Sequence, residues 1–193
     1  MAYTDTKRTF IAIKVTPDSY FLKGLKRSRE ALSSEEIRWV DPTNFHITLR
    51  FIGDTNSENM EKISKFLSGL AGNFSPFNLT LKGVDVFRSL NHPRVIFAGI
   101  QDIEILSLIK KELDSNFDET DNGDTSKSFS PHLTLGRMKR IKNRDSLRKI
   151  VEEFQDFEFL QVETEEIIFF ESVQNKGGVV YIPISRHSLT GID

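Results

Sequence analysis

Cysteine is absent from these 193 residues. That removes disulfides, a thiolate metal site and a cysteine nucleophile. Strong charge of one sign is missing too: 26 Lys+Arg against 28 Asp+Glu leaves a net charge of −2. Such a balance excludes a histone-like binder or a disordered charged tail, while a local basic face would still serve a nucleic acid. No stretch approaches the ~18 consecutive apolar residues of a membrane span. The early FIAIKV segment is too short and too soon charged for a signal peptide. The expectation is a soluble, cytoplasmic protein with no membrane partner. Three motifs are also lacking: H-E-x-x-H, a Walker loop and G-x-G-x-x-G. Their absence disfavours a zinc hydrolase, a nucleoside triphosphate hydrolase and a dinucleotide enzyme. Trp (1) and Tyr (3) are scarce, but Phe reaches 16, and 38% of the chain is hydrophobic. That is enough for one packed core, and core packing is the expectation for most of the Phe.

Periodicity organises the rest. A strand over 9–15 (TFIAIKV) is followed by Thr16-Pro17, a cap with Pro at the first helical position. The helix after it carries Phe21, Leu22, Leu25 and Leu32 on one face. FHITLRFI (45–52) reads as a strand. Thr55-Asn-Ser-Glu58 is a capping box opening a helix with Met60, Ile63, Phe66, Leu67 and Leu70 in step. A strand over 77–87 follows. The order then recurs: strand 94–100, a helix with Leu106, Ile109 and Leu113, a polar loop over 118–128, strand 130–138 and a helix with Leu147, Ile150 and Phe154. A hairpin of strands 165–173 and 179–184 closes the chain.

Ile11 precedes His46 by 35 residues, and Phe97 precedes His132 by 35. Both histidines open the tetrapeptide H-x-T-L, and they lie 86 residues apart. This is an internal duplication, approximately 8–90 and 91–187, within one bilobed domain spanning 1–193. The expected fold is α+β: two pseudo-symmetric lobes, each an antiparallel sheet backed by helices, with the cleft between them.

Strand parity assigns the open face. In FHITLRF, Phe45, Ile47, Leu49 and Phe51 share the core face, leaving His46, Thr48 and Arg50 on the other. In PHLTLGRM, Leu133 and Leu135 take the core, and His132 and Thr134 the open face. Arg137 has the wrong parity for a flat strand, and a bulge at Gly136 would re-aim it. Two histidines across a cleft suit metal-free phosphodiester chemistry: one imidazole takes a proton from water and the other gives one to the departing oxygen. The two Thr hydroxyls would donate to phosphoryl oxygens, and an Arg would add a fork of donors. A basic run, 137–149, holds seven Lys/Arg against one Asp and offers either an RNA path or a solvated helix face. His92 and His187 read as loop and surface residues, and Trp39 as packing between lobes.

The pair HITLRFIG and HLTLGR resembles the two-histidine (2H) phosphoesterase superfamily, and specifically its LigT-like RNA 2′,3′-cyclic phosphodiesterases. RTFIAI, WVDPTNF, FRSLNHPRVIFAG and FFESVQNKGGVVYIPI extend the similarity over almost the whole chain. The resemblance implies opening of an RNA 2′,3′-cyclic phosphate end to a 2′-phosphomonoester, with ATP-independent 2′,5′ joining of RNA in some members. It implies His46 as acid, His132 as base, and Thr48, Thr134 and Arg137 at phosphate-binding positions. With no metal-ligand set visible in the sequence, the expectation is a monomer with no cofactor, no metal and no obligate protein partner. Two alternatives stand beside it: a module that binds nucleotide or RNA without turnover, and a 2H enzyme for another small cyclic phosphate or a 2′,5′-oligonucleotide.

Overall fold

Nine strands and four helices are present among the described residues, 6–117 and 129–191, of the computed structural model. In chain order they are β1 (Lys7–Lys14), α1 (Ser19–Ala31), β2 (Glu36–Trp39), β3 (His46–Thr55), α2 (Ser57–Gly72), β4 (Phe77–Phe87), β5 (Val95–Gln101), α3 (Glu104–Asn116), β6 (Leu133–Arg140), α4 (Arg144–Phe154), β7 (Glu158–Thr164), β8 (Glu166–Asn175) and β9 (Gly178–Ser188). The expected loop over 118–128 lies outside the described residues. Two strands carry too little periodicity to be read from sequence. β2 has only four residues, and β7 (EFLQVET) is half charged or polar. The first helix begins later than Thr16-Pro17 suggests. Asp18 takes the cap instead, its carboxylate accepting from the Phe21 backbone N–H at 2.7 Å. No helix among the described residues is long and apolar enough to cross a membrane.

The architecture is α+β, with one antiparallel sheet in the order β7-β4-β5-β6-β3-β1-β8-β9 and β2 added alongside β6. Each half of the sheet draws strands from both halves of the chain. The halves meet where Ile47 of β3 pairs with Leu133 of β6. Beyond that point β3 leaves β6, and β2 takes its place on the same edge. Helices α1 and α4 pack on β7 and β4, α2 on β8 and β9, and α3 on β3. The main core lies between sheet and helices. On the opposite face Phe10, Ala12, Ile168 and Phe170 form a second, smaller cluster with Tyr181 against it. Alternation along β1 and β8 explains this, because both faces of those strands are covered.

The same irregularity occurs in both motif strands. Between β1 and β3, Ile11 faces Arg50 but Ala12 faces Thr48, so Leu49 is an extra residue. Between β5 and β6, Ile96 faces Gly136 but Phe97 faces Thr134, so Leu135 is extra. Each bulge inverts the period-two parity for the residues after it. Two expectations from flat alternation are therefore corrected. Arg50 does not share the open face with His46: it is buried, paired with Asp114 of α3 and donating from Nη2 to the Phe117 carbonyl at 3.1 Å. Phe51 is not core: it is 57% exposed.

At the position matching Arg50 the second copy has Gly136. There β2 covers the strand, and a Cβ would stand 2.8 Å from Ile37 Cγ2 and 3.2 Å from Trp39 Cε3. The space that Arg50 fills in one half is filled by β2 in the other. Gly136→Ala is expected to destabilise the protein by about 1–3 kcal/mol through overpacking. Urea unfolding followed by circular dichroism measures this, and an unchanged midpoint would mean that β2 yields without cost.

Candidate active site

His46 opens β3, and His132 immediately precedes β6. Because Ile47 and Leu133 pair directly, the histidines preceding them share the other face of the sheet. They are diagonal neighbours, which in a regular antiparallel pair stand about 7–8 Å apart. The two rings are near enough for the charge of His132 to be felt at His46.

The two imidazoles are held alike. His46 Nδ1 lies 2.7 Å from the Asn44 carbonyl, and His132 Nδ1 lies 2.8 Å from the Ser130 carbonyl. In each case the partner is two residues earlier. A carbonyl only accepts, so each Nδ1 carries a proton and donates it, leaving Nε2 as the nitrogen able to exchange one. The Asn44 carbonyl is itself anchored. Asp41 caps the short helical turn 42–44, accepting from the Thr43 amide at 2.8 Å and its hydroxyl at 2.6 Å. Asn44 Nδ2 then donates to the Val179 carbonyl of β9 at 2.9 Å.

Aromatic rings frame both histidines. Phe10 and Tyr181 stand 5.0 and 4.8 Å from the His46 ring, and Phe87 and Phe97 stand 4.5 and 5.3 Å from the His132 ring. Phe10 stacks on Phe170 as Phe87 stacks on Phe97. This environment strips water from the rings and disfavours their charged forms. Burial pushes His46 down to about 4, against the Asn44 bond that raises it; Lys14, His132 and Arg137 push the same way as burial. His132 is lowered for the same first reason, with Arg137 adding to it.

Thr48 and Thr134 are half-buried on the histidine face, and neither hydroxyl is engaged by another group among the described residues. The bulge brings Arg137 back to this face, exposed, with its charge felt by both histidines. His46, Thr48 and Phe51 in one copy thus correspond to His132, Thr134 and Arg137 in the other. The arrangement has two proton-exchanging nitrogens, two free hydroxyls and one guanidinium around one gap. It can bind an oxyanion and move a proton at either end of it. Among the described residues no group of three or more His, Asp or Glu side chains converges in metal-binding geometry.

The remaining candidates fall elsewhere. His92 is exposed in the β4–β5 loop, as expected. His187 is buried rather than on the surface, held by the Ser68 hydroxyl at 3.0 Å and the Ser185 hydroxyl at 2.8 Å where α2 covers β9. Trp39 packs on the main core with the Arg29 guanidinium over its ring at 5.4 Å. The basic run divides: Lys139 keeps the parity of Arg137, while Arg144, Arg148 and Lys149 belong to α4 on the helical side. Phe10 and Tyr181 have no motif to mark them. Their place beside His46 comes from strand pairing alone.

Known proteins are similar to this chain over most of its length. The family model described as LigT like Phosphoesterase matches residues 16–97 and 104–181. The RNA 2′,3′-cyclic phosphodiesterase of Methanothermobacter thermautotrophicus is 27% identical over 176 residues, 90% of this chain and 94% of that one. That of Thermotoga maritima is 28% identical over 180 residues, 90% of this chain and 91% of its own length. Among solved structures, the TT0787 protein of Thermus thermophilus superposes with a TM-score of 0.78 at 24% identity, covering 95% of this chain and 98% of that one. Escherichia coli LigT complexed with 3′-AMP gives 0.70 at 23% identity, covering 96% and 99%.

Proposed function

The chain belongs to the LigT-like phosphoesterase family, and from that premise we propose that it hydrolyses RNA 2′,3′-cyclic phosphate ends to 2′-phosphomonoesters by histidine acid–base catalysis. The observation that carries the reading is the matched pair of imidazoles, each with Nδ1 tied to the carbonyl two residues before it and Nε2 left to exchange a proton. The relatives named RNA 2′,3′-cyclic phosphodiesterase support the substrate class.

In this mechanism the cyclic phosphate sits between the rings. His132 Nε2 takes a proton from water as the water oxygen bonds to phosphorus. The bond from phosphorus to the ribose 3′ oxygen breaks, and His46 Nε2 supplies the proton that the 3′ oxygen needs. The product carries a 2′-phosphate and a free 3′-hydroxyl. Thr48, Thr134 and Arg137 donate to the non-bridging oxygens, where charge accumulates as water adds. A 5′-hydroxyl of a second RNA in place of water would give a 2′,5′ linkage by the same proton transfers, without ATP. The domain in this reading is one bilobed unit made by duplication, approximately 8–90 and 91–187, and the repeated bulge supports that. Phe51, exposed beside Phe10 with ring centroids 6.2 Å apart, gives the cleft an apolar shelf of the kind on which a base stacks.

The test is an RNA oligomer ending in a 2′,3′-cyclic phosphate, incubated with purified protein in excess chelator. The expected result is full conversion to the 2′-phosphomonoester, identified by its resistance to a 3′-specific phosphatase. Binding without turnover would favour a non-catalytic module. Activity lost to chelator and restored by a divalent metal would overturn the metal-free mechanism.

A further inference from the structure

Arg38 lies on β2 directly opposite Arg137 on β6. Its neighbours Ile37 and Trp39 pack on the main core, so Arg38 points to the open face and is exposed there. Like charges directly opposite each other destabilise an antiparallel pair. Neither guanidinium has a carboxylate partner among the described residues. The other cations near His46 are occupied. Lys14 donates to the Thr43 carbonyl, and Arg186 pairs with Glu166. Arg38 reaches away from β2 toward the β8–β9 hairpin, where its Nη2 stands 3.3 Å from the place a Cβ would occupy on Gly178. The charges of Arg38 and Arg137 both reach Tyr181, whose ring packs on His46. A cavity of about 230 Å³ adjoins, lined by Asn44, His46, Tyr181 and Pro183 with Lys14 and Arg186 at its edge. Two guanidinium groups that face each other beside His46, without a carboxylate partner among the described residues, make that edge of the site a favourable place for an anion.

The chemistry of ring opening says which anion this is. The leaving 3′ oxygen and the retained 2′ oxygen belong to one ribose, and water enters from the opposite side of phosphorus. With His46 at the leaving oxygen, the ribose lies on the His46 side. The ribose's own 5′-phosphodiester, the next one along the RNA, must then emerge on that side too. Arg137 faces the reacting phosphate, and Arg38 is left to face the next.

We propose that Arg38 binds the phosphodiester immediately upstream of the cyclic phosphate, so that the site selects an RNA end over a free cyclic mononucleotide. This rests on the function proposed above and names a substrate-selecting residue for it.

The experiment compares adenosine 2′,3′-cyclic phosphate with the dinucleotide ApA ending in a 2′,3′-cyclic phosphate. The dinucleotide carries one more phosphodiester charge. The kcat/KM ratio, dinucleotide over mononucleotide, is measured for the natural protein, Arg38→Gln and Arg38→Lys. A charge-assisted contact predicts a ratio of about 10-fold or more at low salt, falling toward one in Arg38→Gln and partly kept in Arg38→Lys. A dinucleotide with an uncharged methylphosphonate linkage should behave as Arg38→Gln does with the natural linkage. A ratio untouched by Arg38→Gln, or equal losses on both substrates, overturns the proposal. Calorimetric binding of the 2′-phosphate products, ApAp against Ap, needs no turnover. If no cyclic phosphate is hydrolysed the proposed function fails, while this arm still decides whether Arg38 reads the upstream phosphate.

Discussion

Replacing His132 by alanine should lower kcat/KM for a cyclic phosphate by ~10²–10⁴-fold, and His46→Ala should do the same. In the proposed mechanism each substitution removes one proton transfer and leaves the hydroxyls and Arg137 in place to bind substrate. KM should therefore change far less than kcat. The double variant should lose much less than the product of the single losses, because one imidazole without the other has no complete cycle to serve. Steady-state rates of the two single variants and the double variant, with circular dichroism to confirm folding, decide this. Near-normal turnover by His132→Ala would remove it as the base. A fully multiplicative double loss would mean that the two rings act in separate steps.

The second large effect is on pH. Burial among Phe10, Tyr181, Phe87 and Phe97, with the nearby cations, holds both histidines below the ordinary imidazole value of ~6.5, His46 at about 4. A lowered value means that the proton leaves at a lower pH. In the proposed mechanism the productive form carries one proton on the pair, so it is most populated between the two apparent values, which belong to the pair as a whole. Because kcat/KM reports the free enzyme, its bell should peak on the acid side of 6.5 and fall about tenfold per pH unit well above it. The bound phosphodiester is an anion. It offsets the charge of Lys14 and Arg137 and favours protonated imidazole, so the kcat profile should move to higher pH than the kcat/KM profile. Rates from pH 4 to 9 in a constant-ionic-strength buffer provide the measurement. A kcat/KM optimum at or above pH 7 would show that the rings are not desolvated as the aromatic frame requires.

Much of the candidate site is legible in the amino-acid order. A tetrapeptide repeated at equal offsets from two apolar strands identifies His46, Thr48, His132 and Thr134, since alternation over two or three residues survives any later bend. The α+β class and all four helices follow from apolar spacing and caps, although Asp18 displaces Thr16 as the first cap. Resemblance to the family suggests the roles that the proposed mechanism assigns. Past Leu49 and Leu135 flat alternation fails, and at the same place in both copies. One inserted residue inverts every later side chain; Gly136 signals the bulge in the second copy, but no residue type announces it at Leu49 in the first. That is why Arg50, expected outside, pairs with Asp114, and why Phe51, expected inside, is exposed.

The sequence by itself therefore determined the paired imidazoles, their hydroxyl companions and the absence of cysteine chemistry, because these depend on residue identity and local period. Only the tertiary structure decided what surrounds them. Phe10 and Tyr181 reach His46 through the pairing of β1 with β3 and β8, and of β8 with β9, which joins the two ends of the chain. Arg38 comes to face Arg137 because β3 leaves β6 after one pair and β2 replaces it. Pairing across such distances is set by which apolar faces bury together most completely. That is a property of the whole packed sheet, which no local window of the chain contains.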